Sequence, residues 1–250
     1  MTEAASEDGF GSVRALLFDT FGTVVDWRTG VAREVAGFLG HYSLPGDPER
    51  FADEWRALYQ PAMEVVRRGD RPFARLDVIH RENLVQVLRS WGLDPGAFDS
   101  AELDQLNRAW HRLDPWPDSI EGLRRLRRRF LIAPLSNGNI ALLTNMAKRA
   151  GLPWDCILGA EVVRAYKPQP AAYLGTADVL GLRPEECMMV AAHNDDLAAA
   201  QAAGMRTAFV LRPTEHGPSQ TADLTAEGPW DVVVGDFVSL ADALGCRDSS

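Results

Sequence analysis

Cysteine is scarce. Only three of 250 residues are cysteines, Cys156, Cys187 and Cys246. They are odd in number and widely spaced, with no CxxC or Cys/His metal pattern, which argues against a disulfide framework and for reduced thiols in a cytoplasmic protein. Long apolar runs are also missing, and no stretch reaches the length needed to span a bilayer. Basic charge is in deficit: 26 Lys and Arg face 35 Asp and Glu, a net charge of -9. Neither nucleic acid nor an anionic membrane surface is then an expected partner. A small anion remains open as a ligand, because it responds to local rather than net charge. There is no internal repeat and no low-complexity segment. Met1–Gly11 is polar and acidic and lacks the charged-then-apolar pattern of a signal peptide. Residues 1–11 and 247–250 are expected to be disordered tails.

The chain does hold enough apolar residues, 46%, for one full-sized domain with an insertion. Apolar runs of strand length recur at Ala15–Phe18, Phe130–Leu135, Cys187–Ala192, Thr207–Leu211 and Asp231–Val234, and Ile157–Val162 reads as a further short strand. Helical patterns lie between them, at Ile120–Arg129, Ile140–Ala150, Pro170–Leu180 and Leu197–Ala203. Alternating strands and helices imply βαβ units, hence an α/β fold with a doubly wound parallel sheet. The Arg124–Arg129 cluster reads as a solvated helix face.

One stretch breaks the rhythm. From Val31 to Leu113 the pattern is helical almost throughout, as in Val31–Leu39, Pro48–Arg68, Leu76–Trp91 and Ala101–Arg112. The sequence therefore predicts a core of residues 12–28 and 114–246 and an inserted all-helical cap of residues 29–113. The crossings near Asp26–Gly30 and Asp114–Asp118 are expected to act as hinges, with a ligand cleft between the two parts.

Four constellations sit at the carboxyl ends of expected strands, where ligands of open α/β sheets bind. They are Asp19-Thr20-Phe21-Gly22-Thr23, Ser136-Asn137-Gly138-Asn139, Tyr166-Lys167-Pro168 with Tyr173 in the helix beyond, and Ala191-Ala192-His193-Asn194-Asp195-Asp196. Each alone is an ordinary turn or cap; together they point to one site. Asp19 is a nucleophile with no acid two residues on, since Phe21 can neither donate a proton nor bind a metal.

This order of motifs resembles the haloacid dehalogenase superfamily, from about Val13 to Leu244, and the resemblance implies a Rossmann-like core with a helical cap. In that superfamily the first-motif Asp is the nucleophile, followed in later motifs by Ser or Thr, Lys and acidic residues. Members that transfer phosphoryl groups usually carry a second Asp where this chain has Phe21, and an acid for magnesium where it has Ala192. The chain is more similar to the metal-independent type II L-2-haloacid dehalogenases in Asp-x-Phe-Gly-Thr, in Leu-Ser-Asn-Gly, in Lys-Pro with Tyr173, and in the cap segment bearing Arg56.

The resemblance implies that Asp19 displaces halide from C2 of a short (S)-2-haloalkanoate, forming an ester that water opens to an (R)-2-hydroxy acid. No metal or cofactor is called for. Lys167 is expected to keep Asp19 ionised, and Asp196 to orient Lys167 or activate water. Thr23 and Ser136 are expected to donate to the nucleophile or to the substrate carboxylate, with the backbone at Thr20 and Phe21 adding donors. Tyr173 is expected to hold Lys167 or the carboxylate. Arg56 and Asn137 would cradle the halide, with Asn194 lining the substrate site. His193 stands where the dehalogenase pattern has Asn; a base, a fluoride donor and a packed polar residue all fit, and its bulk suits short substrates, fluoroacetate included. His80 and His216 are expected off-site, and Arg71-Pro72-Phe73 is expected to give the cap side a wall or second cation. The competing readings are a magnesium-dependent phosphatase and a non-catalytic small-anion binder. Dimerisation is common in the resembling family, so a homodimer is the expected assembly.

Overall fold

The computed structural model describes residues 10–247; the expected tails lie mostly outside that range. The elements are β1 (Ala15–Phe18), β2 (Val25–Asp26), α1 (Trp27–His41), α2 (Pro48–Ala57), α3 (Tyr59–Arg67), α4 (Leu76–Ser90), α5 (Ser100–Asn107), β3 (Asp114–Pro115), α6 (Ser119–Arg127), β4 (Leu131–Pro134), α7 (Ile140–Ala150), α8 (Ala160–Val163), α9 (Pro170–Val179), β5 (Cys187–Ala191), α10 (Asn194–Ala202), β6 (Arg206–Val210), β7 (Val232–Val234) and α11 (Phe237–Ala243).

A parallel five-stranded sheet in the order β4-β1-β5-β6-β7 forms the core. Strand side chains alternate between faces. Leu16 and Phe18 pack with Leu123 and Phe237 on one side, while Ala15 and Leu17 pack with Met189 and Leu197 on the other. β1 is central, so its carboxyl end opens between the ends of β4 and β5. Asp19 follows β1 directly, Ser136 follows β4, and Ala192 follows β5. This placement comes from buried apolar strands running straight into polar turns.

The stretch expected as a cap forms α1–α5, between β2 and β3. Its exit and return pair as the antiparallel strands β2 and β3, with Val25 opposite Pro115 and Asp26 opposite Asp114. The crossings expected to be hinges are thus stitched to each other, and α1 begins inside the first of them, capped by the Asp26 carboxylate on Thr29 N–H at 3.0 Å. The long helix expected at Pro48–Arg68 breaks at Leu58. The cause is Pro61: it has no N–H for the Ala57 carbonyl and its ring crowds that oxygen. The break leaves Arg56 in the last turn of α2.

Two other expectations are corrected. Ile157–Val162 forms no strand; one bridge joins Gly159 to Ser136 and the helix α8 follows. The Arg124–Arg129 face is not simply solvated either. Arg125 is buried, donating to the Cys246 carbonyl at 2.9 Å and pairing with Asp242.

Candidate active site

The turn carrying Asp19 is held from several sides. The carbonyls of Gly22, Thr23 and Val24 accept from Trp116 Nε1 at 2.8 Å, Arg212 Nε at 2.9 Å and Ser119 Oγ at 2.7 Å. Arg212 is itself fixed by two 2.8 Å bonds to Asp118. Gly22 adopts φ +87°, and a Cβ there would lie 2.0 Å from Glu215 Oε1. Only glycine satisfies both the left-handed backbone and that close approach.

Asp19 is 7% exposed. Its Oδ2 accepts from Thr23 Oγ1 at 2.8 Å and lies 3.2 Å from His193 Nδ1; its Oδ1 accepts from Lys167 Nζ at 2.9 Å. A carboxylate oxygen offers two lone pairs. Both sites on Oδ2 are taken, whereas Oδ1 keeps one open. Burial would raise the Asp19 carboxyl, but the Lys167 charge and the His193 hydrogen bond override it and hold it well below the usual carboxylate range. Asp19 is therefore ionised.

Lys167 also pairs with Asp196, whose other oxygen accepts from Tyr173 Oη at 2.6 Å. Burial lowers the Lys167 proton affinity, but the two carboxylates more than reverse this and keep it a cation. Asp196 is the reverse case: burial pushes its carboxyl up and Lys167 only partly offsets the rise. Tyr173 thus holds Asp196, rather than Lys167 or an open substrate position.

His193 lies between two carboxylates, with Nε2 2.8 Å from Glu215 Oε2. Burial works against its charge, but Glu215 and Asp19 win and raise it well above an ordinary imidazole. Glu215 is buried, and burial would raise it, yet His193 keeps it below the usual range. Its Oε1 accepts from Trp27 Nε1 at 2.9 Å. Nothing in the sequence marked Glu215 or Trp27, because each acts through a partner far away in the chain.

A cavity of about 600 Å³ opens on these groups, bounded by Asp19, Phe21, Arg56, Asn137, Lys167 and His193 among others. Asn137 accepts from the Lys167 backbone N–H at 2.8 Å through Oδ1, so its amide NH₂ stays free for the cavity. Arg56 forms no ion pair among the described residues. Its guanidinium lies 4.1 Å from the Tyr59 ring centre, 5.4 Å from Trp27 and 5.9 Å from Phe21, and its Nη1 is buried without a partner.

Other expected residues stand differently. Ser136 accepts from Gly138 N–H at 3.2 Å and makes no hydrogen bond to Asp19 among the described residues. Thr20 Oγ1 is buried and unpartnered. Asn194 borders the cavity, but its amide is spent on the following loop: Nδ2 reaches Asp223 and the Thr225 carbonyl, and Oδ1 accepts from Glu227 N–H and Trp230 Nε1. His216 lines the cavity after all, while Arg71 pairs with Glu82 and Phe73 packs on Tyr166 away from it. No helix among the described residues is long and apolar enough to cross a membrane.

Residues 13–204 match the haloacid dehalogenase-like hydrolase family. The chain is 30% identical over 202 residues to an (S)-2-haloacid dehalogenase of Xanthobacter autotrophicus, covering 80% of this chain and 76% of that protein. The crystal structure of the defluorinating L-2-haloacid dehalogenase Rha0230 superposes with a TM-score of 0.93 at 57% identity, covering 93% of this chain and 95% of that one. That of the L-2-haloacid dehalogenase PA0810 gives 0.89 at 43%, covering 94% and 100%. The chain belongs to the haloacid dehalogenase-like hydrolases, on the branch of the L-2-haloacid dehalogenases.

Proposed function

We propose that the protein hydrolyses short-chain (S)-2-haloalkanoates to (R)-2-hydroxyalkanoates and halide, fluoroacetate among the substrates. The observation that carries this reading is Asp19 itself: ionised, with one lone pair on Oδ1 left open among the described residues, facing a cavity that Phe21 also lines. Halide leaves as a stable anion and needs no acid beside the nucleophile, so a phenyl ring serves where phosphoryl transfer asks for a proton donor. The kinship with the defluorinating L-2-haloacid dehalogenase Rha0230 supports fluoride as a leaving group.

Asp19 Oδ1 attacks C2 in line with the carbon–halogen bond, that bond's electron pair leaves with the halide, and an aspartyl ester forms. Arg56 and the Asn137 amide meet the charge that develops on the halogen. Oδ2 is then the ester carbonyl oxygen. Water attacks the Asp19 carbonyl carbon, and Thr23 and the His193 imidazolium stabilise the oxyanion on Oδ2. Between two carboxylates His193 is a donor, which favours this role over that of base. Asp196 takes the water proton: of the three acids bonded to Lys167 or His193 it alone is pushed towards higher proton affinity, the property a base needs. As the intermediate collapses the bond from the Asp19 carboxyl carbon to Oδ1 breaks, Asp196 returns its proton to that oxygen, which leaves as the product hydroxyl, and the remaining water proton passes to solvent as Asp19 regains its carboxylate.

The test is halide release from chloroacetate, fluoroacetate and (S)-2-chloropropionate with a chelator present. Wild type is expected to release halide, and Asp19→Asn to lose at least about 10⁴-fold, the scale of nucleophile removal. No release by wild type from any of the three overturns the reading and returns attention to phosphate esters with magnesium.

A further inference from the structure

Lys167, the cation between Asp19 and Asp196, has its backbone held from two sides. Its N–H donates to Asn137 Oδ1, in the turn between β4 and α7, at 2.8 Å. Its carbonyl accepts from Nη2 of Arg67, the last residue of α3, at 2.5 Å. The contact is reciprocal, since Gln169 Nε2 donates to the Arg67 carbonyl at 3.1 Å. Beside Lys167, Tyr166 Oη donates to the Ala74 carbonyl at 2.6 Å, and its ring packs on Phe73 with centres 5.2 Å apart. Three hydrogen bonds thus tie residues 166–169 to the connection between α3 and α4.

The local chemistry favours this clasp. The last carbonyls of a helix have no partner within it, and the Arg67 carbonyl is one of them. Gln169 stands just before α9, where a side chain commonly caps its own helix; its amide closes the end of α3 instead. The Arg67 side chain is 10% exposed. Gln60 Oε1 at 2.9 Å and Glu64 Oε2 at 3.3 Å aim its guanidinium from within α3. A planar, permanently charged fork is pre-organised for such bonds, and a cationic donor binds a carbonyl more strongly than a neutral one. Arg67 is not among the residues that line the cavity at Asp19, so whatever it does there it does through Lys167.

We infer that Arg67 is a positioning residue: from α3 it sets the Lys167 backbone, and through it the ammonium that holds Asp19 for attack. This rests on the dehalogenase reading. One contact then joins the α1–α5 stretch to the counter-ion of the nucleophile.

The experiment compares wild type, Arg67→Met, Arg67→Lys and Arg68→Met on chloroacetate across pH. Arg67→Met keeps an unbranched stem and removes the donors, and its kcat/KM at neutral pH is expected to fall about tenfold, the scale of one hydrogen bond to a charged group. The pH profile separates positioning from packing. Asp19 faces Lys167, Thr23 and His193; beyond them Asp196 faces Lys167 and Tyr173, and Glu215 faces His193. Burial raises the Asp19 carboxyl, and the Lys167 charge is foremost in lowering it. A displaced Lys167 lets that carboxyl rise, so the acid limb of kcat/KM moves to higher pH. Arg67→Lys returns one donor and should regain part of both effects. Arg68→Met removes the neighbouring exposed charge, which pairs with Glu64, and should match wild type. An acid limb that stays in place in Arg67→Met overturns the inference, and so does an equal loss in Arg68→Met. Should Arg67→Met not fold, Gln169→Ala removes the reciprocal bond and is judged by the same limb. A crystal structure of Arg67→Met decides without turnover: Lys167 Nζ displaced from Asp19 Oδ1 supports the inference, and Nζ still within hydrogen-bonding distance refutes it. Wild type that releases no halide sinks the dehalogenase reading, while that structure still tells whether Arg67 places Lys167.

Discussion

On the core side of the cavity each charged group faces another. Asp19 and Asp196 share Lys167, and His193 bridges Asp19 and Glu215. On the cap side the Arg56 guanidinium packs on the Tyr59, Trp27 and Phe21 rings with no ion-pair partner among the described residues, and the nitrogens of His80 and Trp110 face nothing within hydrogen-bonding reach. Both sides are buried and both are rich in nitrogen, so composition does not separate them; satisfaction does. An ion-paired network fixes its members in one geometry, and here it leaves one lone pair open on Asp19 Oδ1. An unsaturated donor set is held by packing alone and gains its bonds when an anion arrives. The difference fits the proposed roles, in which the core presents a fixed nucleophile and the cap receives what it displaces.

The comparison breaks most severely at Lys167. Lys167→Met leaves Asp19 and Asp196 buried without their cation. A stability loss of about 3–5 kcal/mol is expected, the scale for removing one partner of a buried ion pair, together with near-total loss of halide release. A thermal melt and a halide assay check both; a variant as stable as wild type would show the core network to be slack. On the cap side, Arg56→Gln removes a cation that pairs with no acid, so folding stability should change little. Its kcat/KM should fall on the order of 10²-fold, as when one transition-state donor is deleted. A large stability loss with unchanged kinetics would reverse the two sides' roles.

Glu215→Gln sharpens the core side through pH. Glu215 and Asp19 both raise the His193 proton affinity, so His193 stays charged through neutrality and is lost as a donor only as pH rises through its elevated value. With one anion gone that value drops. The alkaline limb of kcat, which includes ester hydrolysis, should therefore move to lower pH, while the acid limb of kcat/KM, set by the depressed Asp19, should hold. An alkaline limb that does not move would remove His193 from the titration.

Much of this site was legible in the sequence, and the reason is local. Asp19, Ser136 and the His193–Asp196 run each follow an apolar strand within a few residues, so the strand pattern alone brings them to one end of the sheet. Lys167 carried a further signal: it is one of two lysines, with Lys148, among 26 basic residues, in a chain that otherwise uses arginine. Glu215 carried none. It lies in the loop beyond β6 and reaches His193 only because Gly22, nearly two hundred residues earlier, leaves room for its carboxylate. The helix break at Leu58 was readable from Pro61, but apolar spacing continues through it and masks it. Ile157–Val162 has the β-branched composition of a strand, yet beyond the single Gly159 bridge it turns into α8.

The smallest effect belongs to Asn194, where the core wall meets the loop beyond β6. Its four hydrogen bonds run to Asp223, Thr225, Glu227 and Trp230, none of them to the groups around Asp19. Asp223 and Glu227 border the cavity mouth. Asn194→Ala should therefore loosen the mouth and leave the nucleophile in place. The expectation is a KM raised by a few-fold with kcat nearly unchanged, the signature of lost binding that ground state and transition state share alike. Steady-state kinetics with chloroacetate reads the split. A fall in kcat matching that in kcat/KM would mean instead that the Asn194 amide, despite its four partners in the loop, acts at the reacting atoms, and the saturated side of the cavity would then have to reach further than the ion-paired residues that define it.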